Sequence, residues 1–108
     1  MENVIQLEGP DNIAAFIAEP EHGKAGDIPP PPEYWPIIRD ICTKYDVLLI
    51  GDEVMTGFGR TGKNFGLNHW DIKPDMMTLG KGIISSYLPF GAVTLNNEIH
   101  EASRVSRR

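Results

Sequence analysis

The stretch VLLIGDE at residues 47–53 decides the fold. Its first four residues are continuously apolar, which is typical of a strand that is covered on both faces in a parallel sheet. Asp52 and Glu53 follow this strand, and open α/β sheets bind ligands at the carboxyl ends of their strands. The stretch therefore predicts an α/β fold with a mostly parallel sheet and a ligand site near Asp52.

Apolar runs on either side predict the other elements of this sheet. Three of them predict strands: Ile13–Ala18, Met76–Leu79 and Gly91–Leu95. Between Tyr34 and Tyr45, apolar residues recur at helical spacing, which predicts a helix with Pro36 in its first turn. A weaker helix is expected after Asn97. One clear helix cannot cover both faces of a sheet, so we expect the chain to be part of a larger protein.

Composition limits the classes of protein that this chain can represent. Its 108 residues allow one domain at most, and their net charge of −5 is concentrated in the first half, which argues against general nucleic-acid binding. No window approaches the roughly 18 apolar residues of a membrane span, so no membrane partner is expected. The single cysteine, Cys42, favours a reducing, cytoplasmic compartment. The Arg-rich end at 104–108 predicts a solvated tail.

Two nucleotide-binding motifs overlap in the glycine-rich segment that follows Asp52. The sequence GFGRTG at 57–62 matches the dinucleotide pattern, but this pattern needs a helix after it, and residues 61–70 contain two glycines and two asparagines. The segment also nearly matches a phosphate-binding loop, with Asn64 where a serine or threonine should contact the metal. That loop should also precede the acidic strand, so both interpretations are disfavoured.

A third interpretation joins Asp52 to Lys81, since both follow predicted strands. An aspartate and a lysine so placed suit pyridoxal phosphate chemistry. The lysine amine forms a Schiff base with the aldehyde of the cofactor, and the carboxylate keeps the pyridine nitrogen protonated. From position alone the alternative stays open that Asp52 only caps a turn and that Lys81 is a surface residue.

Longer motifs around these two residues resemble the class III aminotransferases, which are fold type I pyridoxal phosphate enzymes. The similar segments are AEP at 18–20, DEVMTGFGRTG at 52–62, KPDMMTLGKG at 73–82 and YLP at 87–89. The resemblance extends over about residues 13–101. The 29-residue separation of Asp52 and Lys81 agrees with the family's spacing.

The resemblance implies a role for three residues and a place for the whole chain. Asp52 would be the partner of the pyridinium nitrogen, Val54 would pack on one face of the ring, and Lys81 would bind the cofactor and then move the proton. Residues 1–108 would be a fragment of the large cofactor-binding domain, without the small domain. The implied reaction transfers an amino group from an amino acid or amine to a 2-oxo acid, in an enzyme that is a homodimer when intact.

Two positions depart from the family pattern. Met55 replaces a glutamine that in many members contacts the ring hydroxyl, and Lys24 stands where the ornithine and GABA enzymes carry a glutamate. Those two substrate specificities are therefore not expected. The residues that bind the cofactor phosphate and the substrate carboxylate are expected outside this chain. A non-catalytic scaffold that keeps the large-domain motifs remains the alternative function.

Overall fold

The computed structural model describes residues 1–106, so Arg107 and Arg108 of the Arg-rich end lie outside the described residues. The helices within this range are α1 (Glu2–Glu8), α2 (Tyr34–Lys44) and α3 (Asn97–Val105). The strands are β1 (Ala15–Ala18), β2 (Leu48–Asp52), β3 (Met76–Leu79) and β4 (Ala92–Leu95). Short 3-10 helices, among them Gly66–Trp70 and Lys81–Ile84, lie in the connections.

The strands form one sheet in the order β1-β2-β3-β4. β1 and β2 are parallel, β2 and β3 are parallel, and β4 returns antiparallel to β3. The predicted α/β fold with a mostly parallel sheet is therefore confirmed. Helix α2 connects β1 to β2, as the helical spacing of its apolar residues predicted.

Strand β2 is longer at its carboxyl end than its apolar run indicates. Gly51 and Asp52 pair with Met77 and Thr78 of β3, so hydrogen bonding continues for two residues beyond Ile50. Asp52 is therefore the last residue of the strand and does not follow it. Hydrophobicity alone could not show this, because the pairing depends on the register with β3.

Residues 1–106 fully bury only one face of β2, in line with the expectation that one clear helix cannot cover both faces of the sheet. Leu49 and Gly51 are buried, whereas Leu48 and Ile50 on the other face are only partly buried. The buried face packs on the core that α2 supplies. This core consists of Ile5, Trp35, Ile38, Cys42, Val47, Leu49, Leu67 and Ile72. The described residues thus place their core on one side of the sheet.

Helix α1 has no counterpart in the sequence predictions. It buries Ile5 in the core and ends at Gly9, whose φ of 88° is accessible to glycine at little cost. At its start, the Glu2 carboxylate accepts hydrogen bonds from Lys44 and Tyr45 at 2.8 Å each. These two contacts fix the beginning of the chain to the end of α2, and the bond from Lys44 lowers the pKa of Glu2.

Asp75 fixes the register of the sheet at the start of β3. Its carboxylate accepts the Leu49 amide at 2.8 Å, the Asn96 side-chain amide at 3.2 Å and the Arg39 guanidinium at 3.2 Å. These partners belong to β2, to the residue after β4 and to α2. The backbone N–H of Asp75 also donates to the Leu49 carbonyl at 2.8 Å. One side chain thereby ties β2, α2 and the residue after β4 to the start of β3.

No helix in the described range is long and apolar enough to cross a membrane.

Candidate functional site

A cleft of about 270 Å³ lies where β1, β2 and β3 end. Asp52, Val54 and Lys81 all line it, and the remaining lining residues are Glu19, Gly23, Lys24 and Met55. The structure therefore brings together the three residues that the sequence singled out. This follows from the parallel arrangement of β1, β2 and β3, whose carboxyl ends share one edge of the sheet.

The Asp52 carboxylate is held through one of its two oxygens. Its Oδ1 accepts the Thr78 hydroxyl at 3.0 Å and the Val54 backbone N–H at 3.2 Å. No group within residues 1–106 donates to Oδ2. The side chain is only partly buried. Asp52 is thus an oriented carboxylate with one acceptor oxygen available to a ligand in the cleft.

Val54 lies against the backbone just before Lys81. A Cβ atom added at Gly80 would lie 3.3 Å from Cγ1 of Val54, so the valine side chain covers this glycine closely. Val54 thus places an apolar side chain in the wall of the cleft.

Lys81 begins a short 3-10 helix with its backbone in the left-handed region, at a φ of 43°. Residues other than glycine adopt this region rarely, and they often do so at functional sites. The Lys81 carbonyl accepts the Ser86 N–H at 3.0 Å and the Ser86 hydroxyl at 3.2 Å, which closes the turn. The side chain is exposed, and no acidic group of the described chain forms an ion pair with it.

Glu19 and Met55 complete the cleft around a glycine. The Gly23 N–H donates to the Glu19 carboxylate at 3.2 Å, which closes the turn after β1. A Cβ atom at Gly23 would collide with Cε of Met55, so the methionine occupies the space that a side chain would need there. Met55 thus contributes a thioether to this wall.

Glu53 is a buried carboxylate that the sequence predictions passed over. It is fully shielded from solvent and accepts hydrogen bonds from the Thr56 hydroxyl, from the Gly66 N–H at 2.7 Å and from the Leu67 N–H at 3.1 Å. These bonds join both ends of the glycine-rich loop at 54–65 to the end of β2. Strand alternation could have indicated it, since Glu53 shares a face with the buried Leu49.

The glycine-rich loop uses its own amides internally. Gly57 donates to the Glu53 carbonyl at 2.9 Å, Gly59 to the Asn64 carbonyl at 3.3 Å and Gly62 to the Gly59 carbonyl at 3.1 Å. A phosphate cradle would need such amides free and aimed at one point. The amides of Gly57, Gly59 and Gly62 are therefore not free to form such a cradle.

Comparisons with known proteins point to one family. A family model described as "Aminotransferase class-III" matches residues 1–108. The diaminobutyrate–2-oxoglutarate transaminase of Halomonas elongata is 52% identical over 101 residues, which are 94% of this chain and 22% of that protein. A probable gamma-aminobutyrate transaminase 3 of rice (Oryza sativa subsp. indica) is 52% identical over 99 residues, which are 92% of this chain and 19% of that protein.

A solved structure agrees in fold as well as in sequence. The crystal structure of a transaminase from the marine bacterium Virgibacillus superposes with a TM-score of 0.95 at 47% identity. The match covers 98% of this chain and 24% of that one. This chain thus spans about a fifth of the length of the curated relatives and about a quarter of the solved transaminase.

Proposed function

Because the chain belongs to the class III aminotransferase family, we propose that it supplies the pyridinium partner and the cofactor-binding lysine of a pyridoxal phosphate-dependent aminotransferase. The observation that carries this proposal is the shared cleft of Asp52, Val54 and Lys81 at the carboxyl ends of the strands. The enzyme would transfer an amino group from an amino acid or amine to a 2-oxo acid.

The cleft fits the cofactor in the chemistry of its groups. Asp52 offers an oxygen, Oδ2, that no group in residues 1–106 occupies, and a carboxylate suits a protonated ring nitrogen. Val54 offers an apolar surface beside it. Lys81 offers an exposed amine with no carboxylate partner in the described range. Gly23 lies close to Met55, and Gly80 lies close to Val54. Because both glycines lack a side chain, Met55 and Val54 can pack directly against the backbone there.

Each of these groups would have a distinct task. When bound, pyridoxal phosphate supplies an aldehyde for amines and a ring that withdraws electrons. Asp52 would hold a proton on the ring nitrogen through Oδ2. Val54 would pack against the ring and exclude water from that face. The Nζ atom of Lys81 would bind at the aldehyde carbon with loss of water, and once the substrate amine has displaced it, the freed amine would carry the proton that moves during amino transfer.

Substrates and assembly belong to the proposal, since the chain spans only part of its relatives. The H. elongata relative is named for diaminobutyrate and 2-oxoglutarate, which supports an amino acid or amine donor and a 2-oxo acid acceptor. Lys24 argues against ornithine and GABA as donors, although several relatives are named as GABA transaminases. The intact enzyme would be a homodimer in the cytoplasm. Residues 1–108 would form part of its large domain.

The proposal can be tested in a chimera, defined as the H. elongata transaminase with its matched segment replaced by this chain. We expect the chimera to convert diaminobutyrate and 2-oxoglutarate. The Lys81→Arg variant, which keeps the charge but cannot bind the aldehyde, should have no measurable activity. Lys63→Arg is the matched control at an exposed loop position. Its amino-transfer activity should stay within about twofold of that of the unsubstituted chimera.

The outcome also decides between an enzyme and a non-catalytic scaffold. A chimera that folds by circular dichroism but transfers no amino group would show that this chain is a scaffold. If the full exchange does not fold, an exchange limited to residues 47–82 carries Asp52, Val54 and Lys81 and is judged in the same way. Full activity of Lys81→Arg would overturn the assignment of the lysine.

Asp52 has a test of its own. Asp52→Asn in the chimera keeps the shape of the side chain but removes its charge, so the cofactor should still bind while the amino-transfer rate falls about 100- to 1000-fold, as for loss of one preorganised electrostatic group. Asp71→Asn, at an exposed position, is the control. Single-turnover absorbance measurements would give both rates. An unchanged rate in Asp52→Asn would mean that Asp52 only caps a turn.

A further inference from the structure

We propose that Thr78 is a positioning residue for Asp52, and this inference rests on the proposed function. Its hydroxyl holds Oδ1 of the carboxylate, so that Oδ2 remains directed to the ring nitrogen of the cofactor. Thr78 itself would not touch the reacting atoms. Its contribution is the orientation of the group that does.

The contact between the two side chains is a consequence of the sheet register. Asp52 of β2 lies directly opposite Thr78 of β3 in the parallel pair. Residues opposite each other in neighbouring strands project to the same face. A register shift by one residue would place Met77 or Leu79 opposite Asp52, and neither side chain can donate a hydrogen bond. The threonine is therefore the donor that this register offers.

Two donors converge on a single oxygen of Asp52. The Thr78 hydroxyl donates to Oδ1 at 3.0 Å, and the Val54 N–H donates to the same atom at 3.2 Å. One bond alone would leave the carboxylate free to rotate about its last torsion. Two bonds from different directions fix the plane of the carboxylate and leave Oδ2 as the acceptor for a ligand.

The hydroxyl is separate from the bonds that hold the sheet together. The Thr78 carbonyl accepts the Glu53 N–H at 3.0 Å, and the backbone of Thr78 also takes part in the pairing with Val93. Valine in place of threonine keeps these backbone bonds and the branched shape, and it removes only the hydroxyl. The positioning role can therefore be separated from folding.

The test compares Thr78→Val and Thr78→Ser in the chimera, with Thr94→Val as a control for a strand threonine of similar burial. The dissociation constant for pyridoxal phosphate, from fluorescence quenching of the apoprotein, should rise about tenfold in Thr78→Val, because a carboxylate that is no longer held must be ordered when the cofactor binds. The visible circular dichroism of the bound cofactor should change as well. Thr78→Ser retains the hydroxyl. It should therefore show the same dissociation constant and the same visible circular dichroism as the unsubstituted chimera.

A double-mutant cycle with Asp52→Asn separates positioning from a structural role. If Thr78 acts through Asp52, the tenfold effect of Thr78→Val should shrink to less than about twofold in the Asp52→Asn background. An effect of equal size in both backgrounds, or unchanged affinity and dichroism in Thr78→Val, would overturn the inference. If Thr78→Val does not fold, loss of affinity or dichroism in Thr78→Ser would overturn it instead.

The failure of this inference differs from that of the proposed function. If the chimera folds with Thr78 intact but does not bind pyridoxal phosphate, both proposals are contradicted. A chimera that binds the cofactor and is indifferent to Thr78→Val contradicts the positioning role alone.

Discussion

Glu53 shows what a single buried charge does in this chain. The carboxylate lies next to Asp52 but faces the opposite side of the strand end, where it binds the hydroxyl of Thr56 and the amides of Gly66 and Leu67. A buried carboxylate is tolerated only when its oxygens are satisfied, and here both are. We infer that Glu53 closes the glycine-rich loop, which in turn carries Val54 at the cleft.

Glu53→Gln should therefore destabilise the loop. The substitution keeps the size of the side chain, but it places an NH₂ group against backbone N–H donors. We expect the free energy of unfolding of the chimera to fall by about 1–3 kcal/mol, the usual cost of leaving buried polar groups unpaired. Urea unfolding measures this. Glu8→Gln, at an exposed position, is the control, and equal stability of the two variants would contradict the role of Glu53.

At this scale the sequence identified the residues whose chemistry is recognisable from type and spacing. Asp52 and Lys81 were selected in this way, whereas Val54 followed only from the family resemblance, and all three line one cleft. Their roles stay predictions. Glu53 and Thr78 were not selected, because what distinguishes them is a contact with residues 13 to 26 positions away. Such contacts exist only after the loop and the sheet have formed.

At the scale of elements, apolar periodicity was a good guide and strand ends were not. The four strands and α2 lie where the sequence placed them, and α3 follows Asn96, whose side chain caps it. The carboxyl end of β2 was missed because it depends on pairing with β3. Helix α1 was missed as well, since only Ile5 is buried and its stability comes from contacts with the end of α2.

The packing of α2 has a measurable consequence at Cys42. The side chain is fully buried in the core, and this burial raises the pKa of the thiol. A raised pKa means less thiolate at every pH below it, and thiolate is the form that reacts with alkylating reagents. Cys42 should therefore resist iodoacetamide at pH 7 in the folded chimera and become reactive on unfolding in urea, as followed by peptide mass mapping.

A matched control for Cys42 is available on α3. Ser103 is exposed, so Cys42→Ser combined with Ser103→Cys moves the thiol to the surface. This variant should be alkylated in the folded state at the rate of a free thiol. Rapid alkylation of Cys42 itself in the folded chimera would contradict the packing of α2 against β2.

For the whole molecule, the distribution of apolar surface is the most informative feature. Large apolar side chains cluster after Lys81, where Tyr87 is 88% exposed, Leu88 70% and Phe90 57%. Ile17 of β1 is also exposed, at 56%. Soluble monomers seldom expose contiguous apolar patches of this kind. This exposed apolar surface agrees with the finding that the chain spans only about a fifth to a quarter of the length of its relatives.

The isolated 108-residue chain should therefore be oligomeric or poorly soluble, and it should show no amino transfer beyond that of free pyridoxal phosphate. Sedimentation velocity would show the association. Leu88→Gln combined with Phe90→Ser should shift the distribution toward monomer, because it removes apolar area without touching the core. A monomeric chain that transfers amino groups at the rate of the chimera would contradict this expectation.

Reduction of the cofactor-loaded chimera with borohydride, followed by peptide mapping, tests the assignment of Lys81 most directly. Borohydride converts the bond between the cofactor and its lysine into a stable adduct, so the modified residue is identified without any assumption about rate. We predict that the adduct lies on Lys81 and that it is absent from this segment in Lys81→Arg. An adduct on Lys63 or Lys73, or none within this chain, would contradict the account.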